Sequence, residues 1–315
     1  MADPGRILVT GANGFVGAGL CRRLIAESIP FRAAVRRQAR PTDHEVGDID
    51  AKTDWSAALA GCDAVVHLAA RVHVMDERAA DPLAAFRATN VAATENLARQ
   101  AARHGVRRFV FASSIKVNGE ATSQAPFTAL DVPAPQDAYG LSKLEAEQAL
   151  ARVAEETGLE VVIVRPPLVY GPGVRANFLR LMQLVERGIP LPLGAIHNRR
   201  SMVALDNLVD LLLTCMHHPA AAGRTFLVSD GQDVSTPELI RMLAAAMGKP
   251  ARLPSVPPGL LMAGAAMLGK SAAADRVLGS LQVDIEATRS VLGWQPVVGM
   301  RDAIDATVAH FLAHS

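Results

Sequence analysis

The chain has 315 residues, of which 50% are hydrophobic and 20% charged, with a formal net charge of +1. This length allows a large core and either two domains or one elaborated domain, and the composition is that of a soluble globular protein. A charge this close to zero creates no overall field favouring nucleic acid or an anionic membrane, so neither partner is expected. Cys21, Cys62 and Cys215 lack metal-ligand spacing. They are expected to be buried free thiols in a reducing cytoplasm, and no metal site is predicted.

The apolar stretch at residues 259–269 is relevant to membrane contact. A membrane-spanning helix needs about 20 apolar residues, roughly twice this length, so stable insertion is not expected. The stretch predicts a helix that is buried or faces a partner, with surface contact to a membrane as the lesser alternative.

A glycine-rich turn near the N-terminus is the first chemical signal. Residues 7–9 predict a buried strand, and residues 18–27 predict an amphipathic helix. Between them, Gly11, Gly14 and Gly17 would allow a sharp turn, close approach of a pyrophosphate and close packing of the helix on the strand. The helix N-terminus offers unpaired N–H groups and a positive dipole end. This context predicts dinucleotide binding rather than a flexible loop.

The end of the second predicted strand, residues 31–35, indicates which dinucleotide binds. NAD sites usually place Asp or Glu about 20 residues after the glycine turn, on the ribose 2′-hydroxyl. Here Arg36 and Arg37 follow the strand, and a guanidinium pairs with a 2′-phosphate. NADP(H) is therefore favoured, with NAD(H) possible and a solvated basic turn as the alternative. A third strand is predicted over 46–49, with Asp48 at its tip as an acceptor for the adenine amino group or as a turn residue.

Further apolar strands are predicted at 64–70, 109–114 and 161–164, with a long helix over 82–104. Strands alternating with helices imply an α/β fold with a doubly wound parallel sheet, which binds ligands at the carboxyl ends of its strands. His67 is expected to be a packed strand residue, and the small residues after it permit close cofactor approach. The polar residues 71–81 are expected to form an active-site flap.

The later part of the chain differs in character, because prolines and glycines interrupt it at 166–167, 171–173 and 190–192. Asp206 is expected to cap a helix over 207–217, and Ser235 with Glu238 predicts a capping box before another helix. One more strand is predicted at 225–228. We expect a dinucleotide-binding domain at 1–168, to which 200–232 returns, and a smaller interleaved C-terminal substrate lobe at 169–199 and 233–315.

The second decisive motif is Tyr139-x-x-x-Lys143, which places a phenol and an ammonium one helical turn apart. A phenol has a pKa of about 10, and a neighbouring ammonium lowers that pKa. Ser114, at the end of a neighbouring strand, can hydrogen-bond the same substrate oxygen. Ser114, Tyr139 and Lys143 are therefore predicted to be catalytic, as a proton relay for alcohol–ketone interconversion in which a cofactor carries the hydride.

Together these motifs give the chain a resemblance to extended short-chain dehydrogenases/reductases of the nucleotide-sugar epimerase/dehydratase family. The resemblance covers nearly the whole chain and includes Thr10-Gly11-x-x-Gly14-x-x-Gly17, Gly47-Asp48, His67-Leu68-Ala69-Ala70, Asn90-Val91-x-x-Thr94, Ser113-Ser114, Tyr139-x-x-x-Lys143 and Arg165-Pro166-x-x-x-Tyr170-Gly171-Pro172. It implies a Rossmann domain, a UDP-sugar substrate and a homodimer built from the helices at 82–104 and 138–156.

The resemblance also implies individual site residues. For the cofactor these are Gly11, Asn13, Gly14, Phe15, Val16, Gly17, Arg36, Asp48, Ile49, Leu68, Ala69, Ala70, Asn90, Tyr139, Lys143 and Pro166. For the substrate they are Ser114, Asn177, Arg200 and Asp284. Arg200 suits a diphosphate because its fork matches phosphate, with a solvated pair of Arg199 and Arg200 as the alternative.

Four further positions qualify the resemblance. Asn118, Leu168 and Leu281 depart from the family pattern and leave the sugar and base selectivity open. Lys116 is interpreted either as a contact to a substrate phosphate or as a surface residue.

Redox chemistry at C4 of a UDP-hexose is the predicted function, and the chain resembles reductases and epimerases of bacterial O-antigen sugars. The arginines after the second strand favour NADPH-dependent reduction of a UDP-4-keto-6-deoxy-hexosamine. The alternative is a 4-epimerase of UDP-glucose or UDP-N-acetylglucosamine, which recycles a tightly held NAD. Remoter alternatives are an NADP-dependent ketone reductase and a non-catalytic redox sensor.

Overall fold

The computed structural model describes residues 6–38, 40–72, 81–267, 269 and 271–314. Its strands are β1 (Arg6–Thr10), β2 (Phe31–Val35), β3 (Asp43–Glu45), β4 (Cys62–His67), β5 (Arg108–Ala112), β6 (Glu160–Arg165), β7 (Leu168–Tyr170), β8 (Arg200–Ala204), β9 (Thr225–Leu227) and β10 (Asp233–Val234). Its α-helices are α1 (Phe15–Ala26), α2 (Ser56–Leu59), α3 (Pro82–Phe86), α4 (Ala93–Arg103), α5 (Ala138–Thr157), α6 (Ala176–Glu186), α7 (Leu205–His217), α8 (Thr236–Ala246), α9 (Pro258–Met267), α10 (Ser271–Leu278), α11 (Glu286–Leu292) and α12 (Met300–Ala313). A π-helical segment, Arg87–Ala92, joins α3 to α4, and 3-10 turns lie at Ile115–Val117 and Pro219–Ala221.

A seven-stranded parallel sheet in the order β3-β2-β1-β4-β5-β6-β9 lies at the centre of the protein. Successive side chains of a strand point to opposite faces. Ile7 and Val9 accordingly pack in a core with α1 and α7, whereas Leu8 packs in another core with α4 and α5. Helices thus cover both faces, and the doubly wound α/β fold predicted from the sequence is confirmed.

The strand order places a crevice beside the glycine turn. β1 pairs with β2 on one side and with β4 on the other, so successive connections run in opposite directions from β1. In open α/β sheets, ligands bind outside the carboxyl ends of the strands at such a switch point. The residues that follow β1, β2, β4, β5 and β6 therefore border one possible site.

A second, three-stranded sheet has the order β10-β8-β7. Together with α6, α8 and α12 it encloses a separate core that contains Tyr170, Met202, Leu243 and Ile304. β9 meanwhile returns to the large sheet beside β6. The proposed division into a dinucleotide domain and an interleaved substrate lobe stays a prediction.

Some predicted boundaries differ from the observed elements. The third strand lies at Asp43–Glu45 and not at 46–49, because Gly47 turns the chain with φ +70° directly after the Val46 N–H donates to Val35 O. β4 and β5 end at His67 and Ala112, so residues 68–70 and 113–114 are loops at the sheet edge. Of the predicted flap, residues 73–80 lie outside the described residues.

The predicted N-terminal caps of two helices can be compared with the observed ones. α7 begins at Leu205 with Ala204 as its N-cap, so Asp206 lies in the first turn and does not cap the helix as predicted. A carboxylate there still interacts favourably with the helix dipole. The capping box of Ser235 and Glu238 at the start of α8 is confirmed.

The apolar stretch forms α9, every residue of which is described, and none of its side chains is buried. The buried alternative of that prediction is therefore wrong, and the partner-facing alternative stays a prediction. Across the part of the chain that the structure describes, no helix has both the length and the apolar character needed to cross a membrane. The three cysteines are free and buried, as predicted.

Candidate active site

The glycine turn between β1 and α1 has the tight geometry that the spacing predicts. Gly11 has φ +64°, and a Cβ there would lie 2.8 Å from the Ala69 backbone nitrogen. A Cβ on Gly17 would lie 2.1 Å from Gly11 O, so only glycine lets α1 pack this closely on the turn. Gly14 is the N-cap of α1 and has no side chain to satisfy the first N–H groups. The positive end of the helix is therefore presented at the sheet edge, where Asn13, Phe15 and Val16 also lie.

The loop after β4 is held against this turn by Thr10. The Thr10 hydroxyl oxygen accepts hydrogen bonds from the Leu68 and Ala69 N–H groups, both at 3.2 Å. It also bonds His67 Nδ1 at 2.7 Å, while His67 Nε2 bonds Thr94 Oγ1 at 2.9 Å. Burial lowers the pKa of His67 to about 3, with a smaller contribution from Lys143. His67 is thus a neutral packed residue as predicted, and Thr10 is a contributor that the sequence analysis did not single out.

The junction after β2 brings Arg36, predicted to bind a 2′-phosphate, close to Asp48, predicted to accept from the adenine amino group. Arg36 Nη1 lies 3.5 Å from Asp48 Oδ1, and both side chains are exposed. Ile49 follows in the same loop. The two side chains form a solvent-exposed ion pair, which is weak and screened by solvent.

The acid–base candidate lies in the first turn of α5. The Ser114 side chain lies close enough to the Tyr139 hydroxyl to lower its pKa, so two of the three predicted catalytic residues act on each other. Burial, the largest effect, and the Asp137 carboxylate together raise the pKa of Tyr139 to about 12, and the Ser114 side chain opposes both. Asp137 is the N-cap of α5, and its side chain accepts from the Gly140 N–H. Tyr139 is therefore a protonated phenol in this structure.

Lys143 lies one turn after Tyr139 but does not act on it as predicted. Its Nζ donates to Ala112 O at 2.8 Å and lies 4.4 Å from the centre of the Phe111 ring. Burial lowers the pKa of Lys143 to about 7, and the Glu147 carboxylate opposes that shift. The expected lowering of the Tyr139 pKa by this ammonium is absent among the described residues, because the ammonium is directed to the end of β5.

A buried ion pair that the sequence analysis missed supports this region. Arg165 donates Nε and Nη2 to the two oxygens of Glu147, at 2.9 and 2.5 Å. Ser113 Oγ donates to Glu147 Oε1 at 2.5 Å, and Arg165 Nη1 donates to Asn118 Oδ1 at 3.0 Å. Glu147 follows Lys143 by four residues, and that spacing was the available signal. Asn118, one of the departures from the family pattern, is thus a buried structural residue.

Asn90 lies in the π-helical segment between α3 and α4 and connects the loop after β4 to α5. Its Oδ1 accepts from the Arg71 N–H at 2.8 Å, and its Nδ2 donates to Arg71 O and to Ser142 Oγ, both at 3.0 Å. Ser142 Oγ in turn donates to Tyr139 O at 2.8 Å. The extra residue of a π turn places Asn90 in this buried position, where it fixes the backbone beside the candidate site.

The other predicted residues are spread over several elements. Pro166 ends β6, and its carbonyl accepts from the Ile115 N–H at 3.0 Å. Arg200 is half-buried and donates Nη1 to the carbonyls of Arg276 and Gly279, so it does not form a solvated pair with Arg199. Asn177, in the first turn of α6, and Asp284, before α11, are exposed. Among the described residues, no contact joins Asn177, Arg200 and Asp284, and Ala70 lies in the loop that follows β4.

Lys116 is paired with carboxylates and does not stand ready for a phosphate. Its Nζ donates to Glu120 Oε1 at 2.7 Å and to Asp137 Oδ2 at 2.5 Å. Burial raises the pKa of Asp137, but the bond from Lys116, the bond from the Gly140 N–H and the charges of Lys116 and Arg276 outweigh it, so this pKa is lowered.

The carboxyl edge of the sheet thus combines an anion-binding helix start with a serine, a tyrosine and a lysine. Among the described residues, no group of three His, Cys, Asp or Glu side chains could hold a metal ion. Such a site is typical of oxidoreductases that use a nicotinamide cofactor. Residues 7–229 match the model of the NAD dependent epimerase/dehydratase family, and the chain belongs to that family.

Relatives and solved structures agree with this assignment. The chain is 50% identical to a UDP-glucose 4-epimerase of Vibrio cholerae over 315 residues, covering 98% of this chain and 96% of the relative. A UDP-glucose 4-epimerase of Mycolicibacterium smegmatis is 30% identical, with 97% and 98% covered. MoeE5 in complex with UDP-glucuronic acid and NAD matches with a TM-score of 0.78 and 26% identity, over 99% of this chain and all of that chain (100%). A UDP-glucuronic acid 4-epimerase of Bacillus cereus in complex with NAD shares the fold, with a TM-score of 0.80, 20% identity and coverage of 98% and 99%.

Proposed function

We propose that this enzyme is an NAD-dependent 4-epimerase of a UDP-hexose. The observation that carries the proposal is that the Tyr139 phenol, the Ser114 side chain that acts on its pKa and the Lys143 ammonium converge at the end of β5. The 50% identity to a UDP-glucose 4-epimerase over nearly the full length supports the epimerase among the alternatives.

The residues present fit a dinucleotide. The absence of side chains at Gly11, Gly14 and Gly17 leaves the N-terminus of α1 open, and Gly17 tolerates no Cβ. Unpaired N–H groups at a helix start bind phosphate oxygens. We assign the pyrophosphate to 11–17, the adenine and its ribose to Arg36, Asp48 and Ile49, and the inner half of the dinucleotide to 68–70, Asn90, Lys143 and Pro166. When bound, NAD accepts a hydride from C4 of the sugar and returns it.

The chain's own residues then manage the proton. Tyr139 takes the proton of the C4 hydroxyl as hydride leaves C4, and gives it back when the hydride returns to the opposite face. Ser114 is proposed to hold the same sugar oxygen, and its side chain already acts on the Tyr139 phenol by lowering its pKa. Lys143 is proposed to exchange its bond with Ala112 O for the nicotinamide ribose, since its Nζ lies at the end of β5. A positively charged neighbour there would lower the Tyr139 pKa from its raised value.

NAD is the proposed cofactor. The prediction of NADP(H) depended on Arg36 and Arg37, whereas the family is described as NAD dependent and MoeE5, a structural neighbour at 26% identity, is in complex with NAD. An epimerase also regenerates its cofactor in each cycle and therefore needs no external NADPH pool. Extraction of the purified enzyme should release NAD, identified by mass, and release of NADP would contradict this assignment.

Arg200, Asn177 and Asp284 are proposed for the nucleoside diphosphate. The guanidinium of Arg200 is half-buried and fixed by two backbone carbonyls, as a preorganised phosphate ligand requires. Leu281 and Leu168 stand where the family pattern has other residues, so the sugar is assigned only as a UDP-hexose.

The test is interconversion without added cofactor. Purified protein is incubated with UDP-glucose or UDP-N-acetylglucosamine, and the C4 epimer is followed by proton NMR. Tyr139→Phe should lower the rate by about 10²–10⁴-fold, the usual contribution of acid–base catalysis, while still binding NAD. NADPH oxidation with a UDP-4-keto-6-deoxy-hexosamine, in the absence of epimer formation, would instead establish the 4-reductase.

A homodimer is proposed through the helices named from the resemblance. α4 and the π segment pack on α5 within the subunit, and ion pairs of Arg87 with Glu145 and of Arg99 with Glu156 join them near the surface. Light scattering of the purified protein should give twice the chain mass of 33.3 kDa.

A further inference from the structure

Helix α9 presents an apolar surface that nothing in the described structure covers. Its residues are PGLLMAGAAM, with no charged side chain among them. Leu260, Ala263 and Met267 have i, i+3, i+7 spacing, so they share one face of the helix. All three are exposed, with fractions of 65% for Leu260 and 88% for Met267. A helix that is apolar all round normally lies in a core or in lipid, and an exposed apolar patch marks an interaction site.

The chain around α9 is basic. Residues 249–280 contain Lys249, Arg252, Lys270 and Arg276 against the single acid Asp275, a net charge of +3 in a protein whose total is +1. In the structure, Arg276 lies 4.0 Å from Glu120 Oε2 and Lys249 Nζ donates to the Glu186 carbonyl, so the excess positive charge is a property of this stretch of sequence before and after α9. Basic side chains flanking an apolar helix are the combination that binds anionic lipid headgroups.

The surface is joined to the substrate end of the proposed site. α9 packs against α10, and the end of α10 is held by Arg200, whose Nη1 donates to the carbonyls of Arg276 and Gly279. Asn198 Nδ2 donates to the carbonyls of Val277 and Gly279. The proposed diphosphate ligand Arg200 is thus connected to the apolar helix through α10, by hydrogen bonds to α10 and by packing of α10 on α9.

We propose that α9 and its basic flanks dock this enzyme on the surface of an anionic lipid bilayer. α9 is too short to cross the bilayer, so it would lie in the interface with Leu260, Ala263 and Met267 toward the acyl chains. A second copy is the less favourable occupant, because a two-fold interface would place the +3 stretch against itself. Docking of α9 on the bilayer does not depend on the proposed function. Its consequence, that the diphosphate site is held near the membrane, does rest on the proposed function.

The experiment is flotation of the full-length protein with vesicles. One set contains phosphatidylglycerol and phosphatidylethanolamine, and the other contains phosphatidylcholine alone. The test variant is Leu260→Asp with Met267→Asp, both at exposed positions. The matched control is Leu130→Asp with Val132→Asp, which adds the same two charges at exposed apolar positions elsewhere.

Wild type and the control should float with the anionic vesicles, less so with phosphatidylcholine, and less so as salt rises. The test variant should partition about tenfold more weakly, because two carboxylates cannot enter the interface. Failure of the wild type to float, or equal loss in both variants, would overturn the proposal. So would a halved mass of the test variant by light scattering, which would show that a second copy covers α9. Turnover of soluble UDP-sugar, measured without vesicles in all three proteins, reports on the proposed function separately.

Discussion

Asp137 and Tyr139 lie two residues apart at the start of α5, and the carboxylate of the first raises the pKa of the phenol of the second. The same carboxylate caps the helix through the Gly140 N–H and pairs with Lys116 Nζ. One side chain thus combines a structural role, as the N-cap, with an electrostatic effect on the acid–base candidate.

Asp137→Asn should separate the two roles. Asparagine is as good an N-cap as aspartate, but it removes the negative charge that favours the protonated phenol. The rate of the first, oxidative half-reaction increases with pH as Tyr139 ionises, and this increase should move to lower pH. At neutral pH the rate should be higher by up to about tenfold, the effect of one pKa unit. The measurement is the pH dependence of kcat for epimerisation.

The control for this variant is Asp81→Asn. Asp81 is the N-cap of α3, and its Oδ1 accepts from the Ala84 N–H at 3.0 Å. That exchange should leave the pH profile unchanged. A profile of Asp137→Asn that matches the wild type, or shifts to higher pH, would show that the carboxylate does not act on Tyr139.

Glu147 and Arg165 form a buried ion pair, and we expect loss of one partner to destabilise the protein far more than loss of both. Arg165→Met leaves Glu147 buried with the Ser113 hydroxyl as its remaining neutral donor, and breaking a buried pair costs about 3–5 kcal/mol. The double variant Arg165→Met with Glu147→Met removes both charges and should recover most of that free energy of unfolding. Urea unfolding measures both. Equal losses in the single and double variants would mean that packing, and not the unpaired charge, sets the cost.

The sequence predicts the fold well where local pattern decides it. β2 lies at residues 31–35 as predicted, and the last three of its five residues are buried. The glycine turn follows from the spacing of Gly11, Gly14 and Gly17, since backbone geometry tolerates no larger side chain at the first and last of these positions. The capping box at Ser235 is equally local.

Features set by distant contacts were not predictable in this way. The partner of Glu147 lies 18 residues further along the chain, and no periodicity relates the two. The π segment that buries Asn90 depends on the backbone of Arg71, which lies in another loop. Lys143 has the predicted spacing from Tyr139, yet the Ala112 carbonyl and the Phe111 ring decide where its ammonium points. Tertiary contacts of this kind determine the charges in the site.

Lys143 should make the stability of the free enzyme depend on pH. Its pKa is lowered from 10.5 to about 7 by burial, so between about pH 7 and 10.5 the unfolded chain binds a proton that the native state lacks. The free energy of unfolding contributed by this group therefore increases with pH across that window and is constant below it. Lys143→Met should remove this increase. The measurement is urea unfolding of wild type and variant at several pH values.

The contribution of Lys143 is the difference between wild type and Lys143→Met in the free energy of unfolding at each pH, since other groups titrate in both proteins. A difference that stays flat from neutral to alkaline pH would show that Lys143 keeps its ordinary pKa. Lys143→Arg is the companion variant, because arginine stays charged and should give a destabilised protein whose stability shows no such increase.

Arg200→Gln should weaken substrate binding more than it slows the reaction. Glutamine keeps a donor for the carbonyls of Arg276 and Gly279 but loses the charge proposed to bind the diphosphate. KM for the UDP-sugar should rise by about tenfold or more, as expected for a lost charge-assisted hydrogen bond, with kcat changed little. The neighbouring Arg199 is exposed, so Arg199→Gln is the matched control and should leave KM near the wild-type value. Equal KM values for the two variants would remove Arg200 from the diphosphate site, whereas a fall in kcat alone would assign it to holding α10 in place.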